Sequence, residues 1–387
     1  MAGKVRHPID IATLERYITE NVPEIKVPLD VKQFGFGQSN PTYQLTSNPT
    51  GSKYVLRKKP AGKLLSQAAH KVEREHRVIA ALQSTNVPVP RAYCLCEDAK
   101  VLGTPFYIMS FVAGRIFEDA AIPEAKSPSE RKALWRAAVE AIAALHTVDP
   151  KAVGLSTFGK SGGFYARQLN TWKQICDAQA NTKDIETQQP VGEIPHMQDL
   201  VTFFRDEGLR PRDRVTLVHG DYKIDNVVFA AEESRVAGIL DWEMSTIGHP
   251  LSDLANLMHP FYSASMSQTL NESQSTGLEA IKAVSHPGFL PGATPGLPTP
   301  AEVLEWYAAA AGWTPTPEEV GWASAFSVFR LAAICQGIAA RVAKRQASSA
   351  DARRHASAVK PLGEFAWALV KKEKEKRGKQ GGREAKL

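Results

Sequence analysis

His219–Asn226 reads HGDYKIDN, and GILDWE follows at Gly238–Glu243, so a second aspartate, Asp241, stands fifteen residues after Asn226. An aspartate at 221, an amide five residues later and a further aspartate at the end of an apolar run form a recognisable set of parts. Phosphoryl transfer from ATP uses one carboxylate to take or orient a hydroxyl proton. It uses an amide oxygen and another carboxylate to hold magnesium against the phosphates. On that chemistry Asp221 is the candidate base, and Asn226 and Asp241 are the candidate metal ligands. Alone, Asp221 would read as an ordinary turn residue capping local backbone; its spacing from His219 and Asn226 argues otherwise. His219 suits a structural role, holding the loop through backbone contacts. Lys223, two residues past the base, can offset charge on a phosphoryl group in transit or simply be solvated. Val227–Phe229 and the run before Asp241 read as a hairpin that brings the two metal candidates together.

The composition is that of an ordinary globular chain: 387 residues, 43% apolar and 23% charged. That length holds two domains or one two-lobed unit. No uninterrupted apolar run reaches the roughly 20 residues that span a bilayer, and the opening MAGKVRHPID lacks the apolar core of a secretory signal. Cys94, Cys96, Cys176 and Cys335 form no CxxC pair, which points to reduced thiols used as small core residues.

Of the net charge of +6, eight Lys/Arg against three Glu in residues 371–387 supply +5. The near-neutral remainder argues against a nucleic-acid-binding face. The tail, KKEKEKRGKQGGREAKL, is expected to be a basic disordered segment. Its last residues, Ala385-Lys386-Leu387, differ from the peroxisomal address S-K-L by one small residue. That similarity suggests an import receptor as partner and a peroxisomal location, with the cytoplasm as the alternative.

Coarse patterning predicts a β-rich first part with one embedded helix over Ser66–Leu82, and a mostly helical remainder. The fold class expected is α+β, with a small β-rich lobe over 1–112, a larger helical lobe over 113–370 holding the loop at 219–226, and the tail at 371–387. In the first lobe, FGFGQSN offers Gly35, Gly37 and Ser39 for close backbone approach to phosphates. In YVLRKKP, Arg57 shares a strand face with Val55 and stands where a phosphate-binding cation is needed, with Lys58 or Lys59 as alternatives should the register slip. Glu75 on the following helix is its expected partner. YIMSFV, at Tyr107–Val112, places Met109 and Phe111 where a chain segment could meet an adenine edge. Near the C-terminus, Leu331, Ile334, Cys335, Ile338 and Val342 are expected to form the apolar face of a helix over Arg330–Arg345.

HGDYKIDN resembles the kinase catalytic loop H-R-D-L-x-x-x-N, with Gly220 for arginine and Tyr222 for leucine. With ILDWE and GHPLSDLA at Gly248–Ala255, it resembles the aminoglycoside phosphotransferase family of the kinase-like superfamily. That resemblance implies a bilobal kinase-like fold, ATP and magnesium, and a structural Asp253 bracing the loop. VLRKKPAGKLLSQAAHKVEREHRVIAAL and YARQLNTWKQ look like the kinase-like domain of acyl-CoA dehydrogenase family members 10 and 11. This implies a 4-hydroxy acid or hydroxyacyl-CoA acceptor, although no dehydrogenase part follows here. It also places Arg167 and Trp172 on the substrate side, where they could meet a CoA or carboxylate group or merely pack. Choline or an aminoglycoside-like alcohol are alternative acceptors, and a non-catalytic pseudokinase is the competing reading from another class. No DFG or APE segment supports a protein kinase.

Overall fold

The computed structural model describes residues 2–3, 5–35, 40–60, 71–270, 278–282, 284–347 and 351–384. The chain divides into two compact units. The first comprises Met1–Glu118, Thr147–Phe158 and His219–Thr246; the second comprises Asp119–His146, Gly159–Val218 and Ile247–Leu387. The fold is α+β.

Unit 1 is built on an antiparallel sheet. Its strands are β1 (Ala2–Gly3), β2 (Leu29–Phe34), β3 (Thr42–Ser47), β4 (Lys53–Lys58), β5 (Ala92–Cys96) and β6 (Phe106–Ser110), in the order β1-β2-β3-β4-β6-β5. Period-two alternation decides which side chains face inward: Tyr43, Leu45 and Ser47 of β3 are buried while their neighbours are less so. Helix α1 (Ile11–Asn21), capped by Asp10 accepting from the Thr13 N–H, contributes Leu14 and Ile18 to the core with Leu45, Leu56, Phe106 and Ile108. Each such side chain contributes about 1.5–3 kcal/mol on burial. Helix α2 (Val72–Leu82) buries Val72, Glu75, Val78, Ile79 and Leu82, an amphipathic face with one carboxylate in it. The first residues expected in this helix, 66–70, lie outside the described residues.

A second, two-stranded sheet completes unit 1. β7 (Val227–Phe229) and β8 (Val236–Ile239) pair antiparallel, Val227 opposite Ile239. The Ile239 N–H donates to Pro88 O (2.8 Å), and Arg115 and Phe229 exchange backbone hydrogen bonds of 2.8 Å. These bonds explain why 219–246 groups with the β-rich unit, where the sequence reading had put it in a helical lobe starting at 113.

Unit 2 is helical. Its principal helices are α3 (Pro128–Thr147), α4 (Phe164–Ala180), α5 (Met197–Arg205), α6 (Leu251–Leu257), α7 (Pro300–Ala311), α8 (Pro317–Ala343) and α9 (Val359–Glu384). Capping boxes start α7, with Thr299 and Glu302, and α8, with Thr316 and Glu319. Among the described residues α8 alone is long and apolar enough to cross a membrane by length and composition, and 67% of its apolar window is buried in the protein. It buries Ala325, Val328, Phe329, Ala332, Cys335 and Gln336. Ile334, expected on the apolar face, is instead exposed (40%). The helix packs against α4, α6 and α9 through small residues, which turns the face toward 332, 333 and 336.

The tail also differs from expectation. Residues 371–384 continue α9, with Ala385-Lys386-Leu387 outside the described residues. The buried face of Leu362, Phe365, Ala366 and Val370 runs on into Glu373. Glu373 sits over Gly321, where a Cβ would come within 2.2 Å of its Cδ. Arg377 donates to Leu209 O (3.0 Å). A run of charges is therefore held as helix because one of its stripes is packed.

Candidate active site

Every described residue of the predicted phosphoryl-transfer set lies in unit 1. The loop at 219–226 is shaped by two residues. Gly220 has φ +87°, and a Cβ there would meet Met244 O at 2.5 Å, so the position admits only glycine without displacement. His219 is fully buried, and its Nε2 donates to Leu240 O (2.8 Å) while its Nδ1 accepts from the Asp221 N–H (3.3 Å). Those two bonds set the tautomer and tie the loop to the strand end that carries Asp241. Trp242 packs edge-on against the imidazole at 4.8 Å and donates from Nε1 to Ile239 O (2.9 Å). The structural role expected for His219 is what it performs.

Asn226 Nδ2 donates to Asp221 O (2.8 Å) and to Asp221 Oδ2 (3.2 Å). With the amide nitrogen turned onto the aspartate, Oδ1 faces the other way. The Leu240 N–H donates to Asn226 O (2.9 Å), so Asp241 follows directly on a residue bonded to Asn226. Asp241 itself takes φ +65°, an uncommon conformation for a non-glycine residue. Lys223 Nζ lies 3.7 Å from Asp221 Oδ2 and 3.0 Å from Asp225 Oδ2. Burial works against its charge, but the Asp221 and Asp225 carboxylates outweigh it and hold its pKa above the ordinary lysine value.

Arg57 is paired in the sheet with Thr42 and Tyr107. Its Nη1 reaches Glu75 Oε2 at 3.0 Å and Asp241 Oδ1 at 3.2 Å, so one guanidinium spans the helix carboxylate and the metal-ligand candidate. Lys59 instead pairs with Glu73 (3.0 Å), which leaves Arg57 as the cation on Glu75. Glu75 has no solvent exposure and also accepts from Tyr107 Oη (3.0 Å) and Asn40 Nδ2 (3.0 Å). Burial pushes its pKa up to about 7, against the opposing pull of Arg57 and the Tyr107 hydrogen bond. Arg74 steadies α2, donating to Phe158 O (2.8 Å) and Ser245 O (3.2 Å).

Sequence reading missed Asn40, Tyr107 and Arg74. Tyr107 could have been found by pairing YIMSFV with YVLRKKP, which sets it opposite Arg57. Asn40 and Arg74 carry no such signal.

Gly35 is exposed at the end of β2, and Gly37 and Ser39 lie outside the described residues. Met109 is buried in β6 opposite Val55, and the Phe111 N–H donates to Lys53 O (3.2 Å). In unit 2, Arg167 donates to Gly162 O and Lys160 O, closing the turn before its own helix, and Trp172 Nε1 donates to Gln168 Oε1 (3.1 Å). Asp253 is buried and faces His146 Nε2 (3.2 Å).

Magnesium takes few protein oxygens and several from phosphate and water. Among the described residues no group of three or more His, Cys, Asp or Glu could cage a metal. The amide Oδ1 of Asn226 and the carboxylate of Asp241 fit the sparser arrangement.

A family described as the phosphotransferase enzyme family matches residues 30–283. The chain is 37% identical over 371 residues to acyl-CoA dehydrogenase family member 11 of Gallus gallus, covering 95% of this chain and 44% of that protein. It is 36% identical to family member 10 of Mus musculus, covering 89% of this chain and 30% of that protein. The chain thus spans less than half the length of these curated relatives. A solved Ralstonia eutropha protein, provisionally named an aminoglycoside phosphotransferase, superposes with a TM-score of 0.75 at 36% identity, covering 94% of this chain and 99% of that one. A spectinomycin phosphotransferase solved with ADP shares the fold, with a TM-score of 0.57 at 12% identity.

Proposed function

The chain belongs to the phosphotransferase enzyme family, and from that premise we propose that it moves the γ-phosphoryl group of ATP, with magnesium, onto the hydroxyl of a small molecule. The acceptor we favour is a hydroxy acid or its CoA thioester. The observation that carries the reaction class is the placement of two hydrogen-bonded pairs, Asp221–Asn226 and Arg57–Asp241, joined through the Leu240 N–H to Asn226 O bond. Two findings support the acceptor class: the acyl-CoA dehydrogenase names of the relatives, and their identity across nearly all of this chain.

In this reading Asp221 takes the acceptor's hydroxyl proton as its oxygen attacks the γ-phosphorus and the bond to the ADP oxygen breaks. Asn226 holds the aspartate in place through Nδ2. Asn226 Oδ1 and Asp241 would hold magnesium, which would supply neutralisation of phosphate charge. Arg57, released from Asp241, serves as the phosphate-binding cation, and Lys223 offsets negative charge beside Asp221. Catalysis of this kind is positioning and charge stabilisation. Ala385-Lys386-Leu387 supports a peroxisomal address as part of the same proposal.

The test is ADP release from magnesium and ATP across hydroxyacyl-CoAs, free hydroxy acids, choline and aminoglycosides. Asp221→Asn should lower kcat on the true acceptor by about 10²–10⁴ while leaving the thermal shift caused by ATP in place. Unchanged turnover in that variant refutes the base. No thermal shift with ATP and magnesium in the wild type points to the pseudokinase instead, because a ligand of the native state must stabilise it.

A further inference from the structure

The last turns of α9 form a charged surface that the phosphoryl-transfer reading does not use. Residues 371–379 read KKEKEKRGK. The apolar stripe of the helix, Leu362, Phe365, Ala366 and Val370, is buried, and Glu373 continues it. Arg377 donates to the backbone at Leu209 O (3.0 Å) and Glu318 O (3.5 Å). Those contacts fix which side of the helix meets water.

At 3.6 residues per turn, positions 371, 372, 375, 376 and 379 share an arc of about 140° over a length of about 12 Å. All five are exposed. Four are lysines, and the fifth is Glu375. Lys376 pairs with the buried Glu373 (2.6 Å); among the described residues Lys371, Lys372 and Lys379 form no ion pair. Lys372 and Lys376 stand four apart, a like-charge spacing that works against an isolated helix. The packed stripe holds the row of lysines in place all the same.

The chemistry of the arc narrows its partner. Lysine is a compact, hydrated point charge that suits a diffuse anionic field, whereas bidentate recognition of one phosphate or carboxylate favours arginine, which the arc lacks. The arc also carries no apolar or aromatic side chain, and the apolar face of the helix is committed to the core. It cannot enter a bilayer as a free amphipathic helix does. A plane of anionic headgroups attracts lysines held close to it without any insertion. Residues outside 371–387 contribute only +1 of the net +6, so the positive charge is concentrated here.

We propose that the exposed face of α9 over 371–379 docks on an anionic phospholipid surface, held by charge and without insertion. Docking here does not depend on phosphoryl transfer, so either reading can fail without the other.

The test is co-sedimentation of the full chain with vesicles of phosphatidylcholine alone, and with about a third of it replaced by phosphatidylserine. The protein should bind the anionic vesicles, ignore the neutral ones, and come off in about 0.5 M salt, where screening shortens the reach of each charge. Lys371→Gln, Lys372→Gln and Lys379→Gln together keep helix propensity and should weaken binding about 100-fold, at roughly fivefold per lysine. Lys26→Gln, Lys100→Gln and Lys151→Gln, at three exposed positions elsewhere, change the net charge equally and should weaken it far less. Equal loss in the two triple variants overturns the proposal, since net charge alone would then explain binding. Binding that survives the salt overturns docking by charge. Silence on the anionic vesicles overturns the membrane as occupant and points to an acidic protein instead.

Discussion

Replacing Arg57 by methionine keeps most of the side-chain volume and removes the charge, which makes it a clean probe of the buried network. The Arg57–Glu75 pair at 3.0 Å corresponds to about 5 kcal/mol of attraction at an effective dielectric near 20. At pH 8 Glu75 is ionised, and without the guanidinium it keeps two neutral donors, Tyr107 and Asn40. An orphaned buried charge costs about 3–5 kcal/mol. The carboxyl can limit that loss by taking up a proton, at about 1.4 kcal/mol for each unit its pKa climbs.

At pH 5.5 the folded protein already holds Glu75 mostly protonated, since its pKa is about 7. The loss is then chiefly the pair with Asp241, whose side chain is 38% exposed; such a pair is worth about 1 kcal/mol at most. The sign follows from linkage. A folded pKa above the unfolded one gives stability that is present at low pH and lost as pH rises through 7. Arg57→Met should therefore destabilise unit 1 by up to about 1.4 kcal/mol more at pH 8 than at pH 5.5, the cost of the one pH unit between the native pKa of about 7 and pH 8. Hydrogen exchange of peptides covering β4 and α2 reads that unit without the helical one. Equal losses at the two pH values would refute the charge argument and reduce Arg57 to packing.

Three further outcomes are expected. Gly220→Ala should destabilise by about 2–4 kcal/mol, combining a left-handed backbone with a clash against Met244 O, and denaturant unfolding measures it. Gly321→Ala should displace Glu373 and loosen α9, at about 1–3 kcal/mol, seen as earlier proteolysis near residue 373. Cys94, Cys176 and Cys335, whose pKa values burial raises to about 11, 12 and 11, should resist iodoacetamide at pH 8 in the native protein and react in urea.

Much of the site could be read from sequence because its chemistry is local in the chain. Asp221, Lys223 and Asn226 fall within one loop, and Glu75 could be chosen because it starts the apolar stripe of α2. Asn40 was not legible, because its contact with Glu75 depends on a loop's return path, whereas Tyr107 follows from pairing the two strands, which sets it opposite Arg57. The tail misled for a different reason. Composition reads KKEKEKR as solvated, yet residues 362, 366, 370, 373 and 377 share one helical face, and the packing of that face outweighs the charge run. The division into units was hidden because segment 147–158 joins the β-rich unit through the Arg74 and Arg77 side chains, and 219–246 through single backbone bonds and short strands, which carry no compositional mark.

The Arg57–Asp241 ion pair joins residues 184 positions apart. On a ribosome, β4 and α2 emerge long before Asp241, with the whole of the helical unit's first two segments made in between. Glu75 and Arg57 must wait for their third member while 119–146 and 159–218 are already searching for partners of their own. The β-rich unit therefore cannot close by vectorial, N-terminus-first folding. Its completion is a late event, timed by the synthesis of residues 219–246.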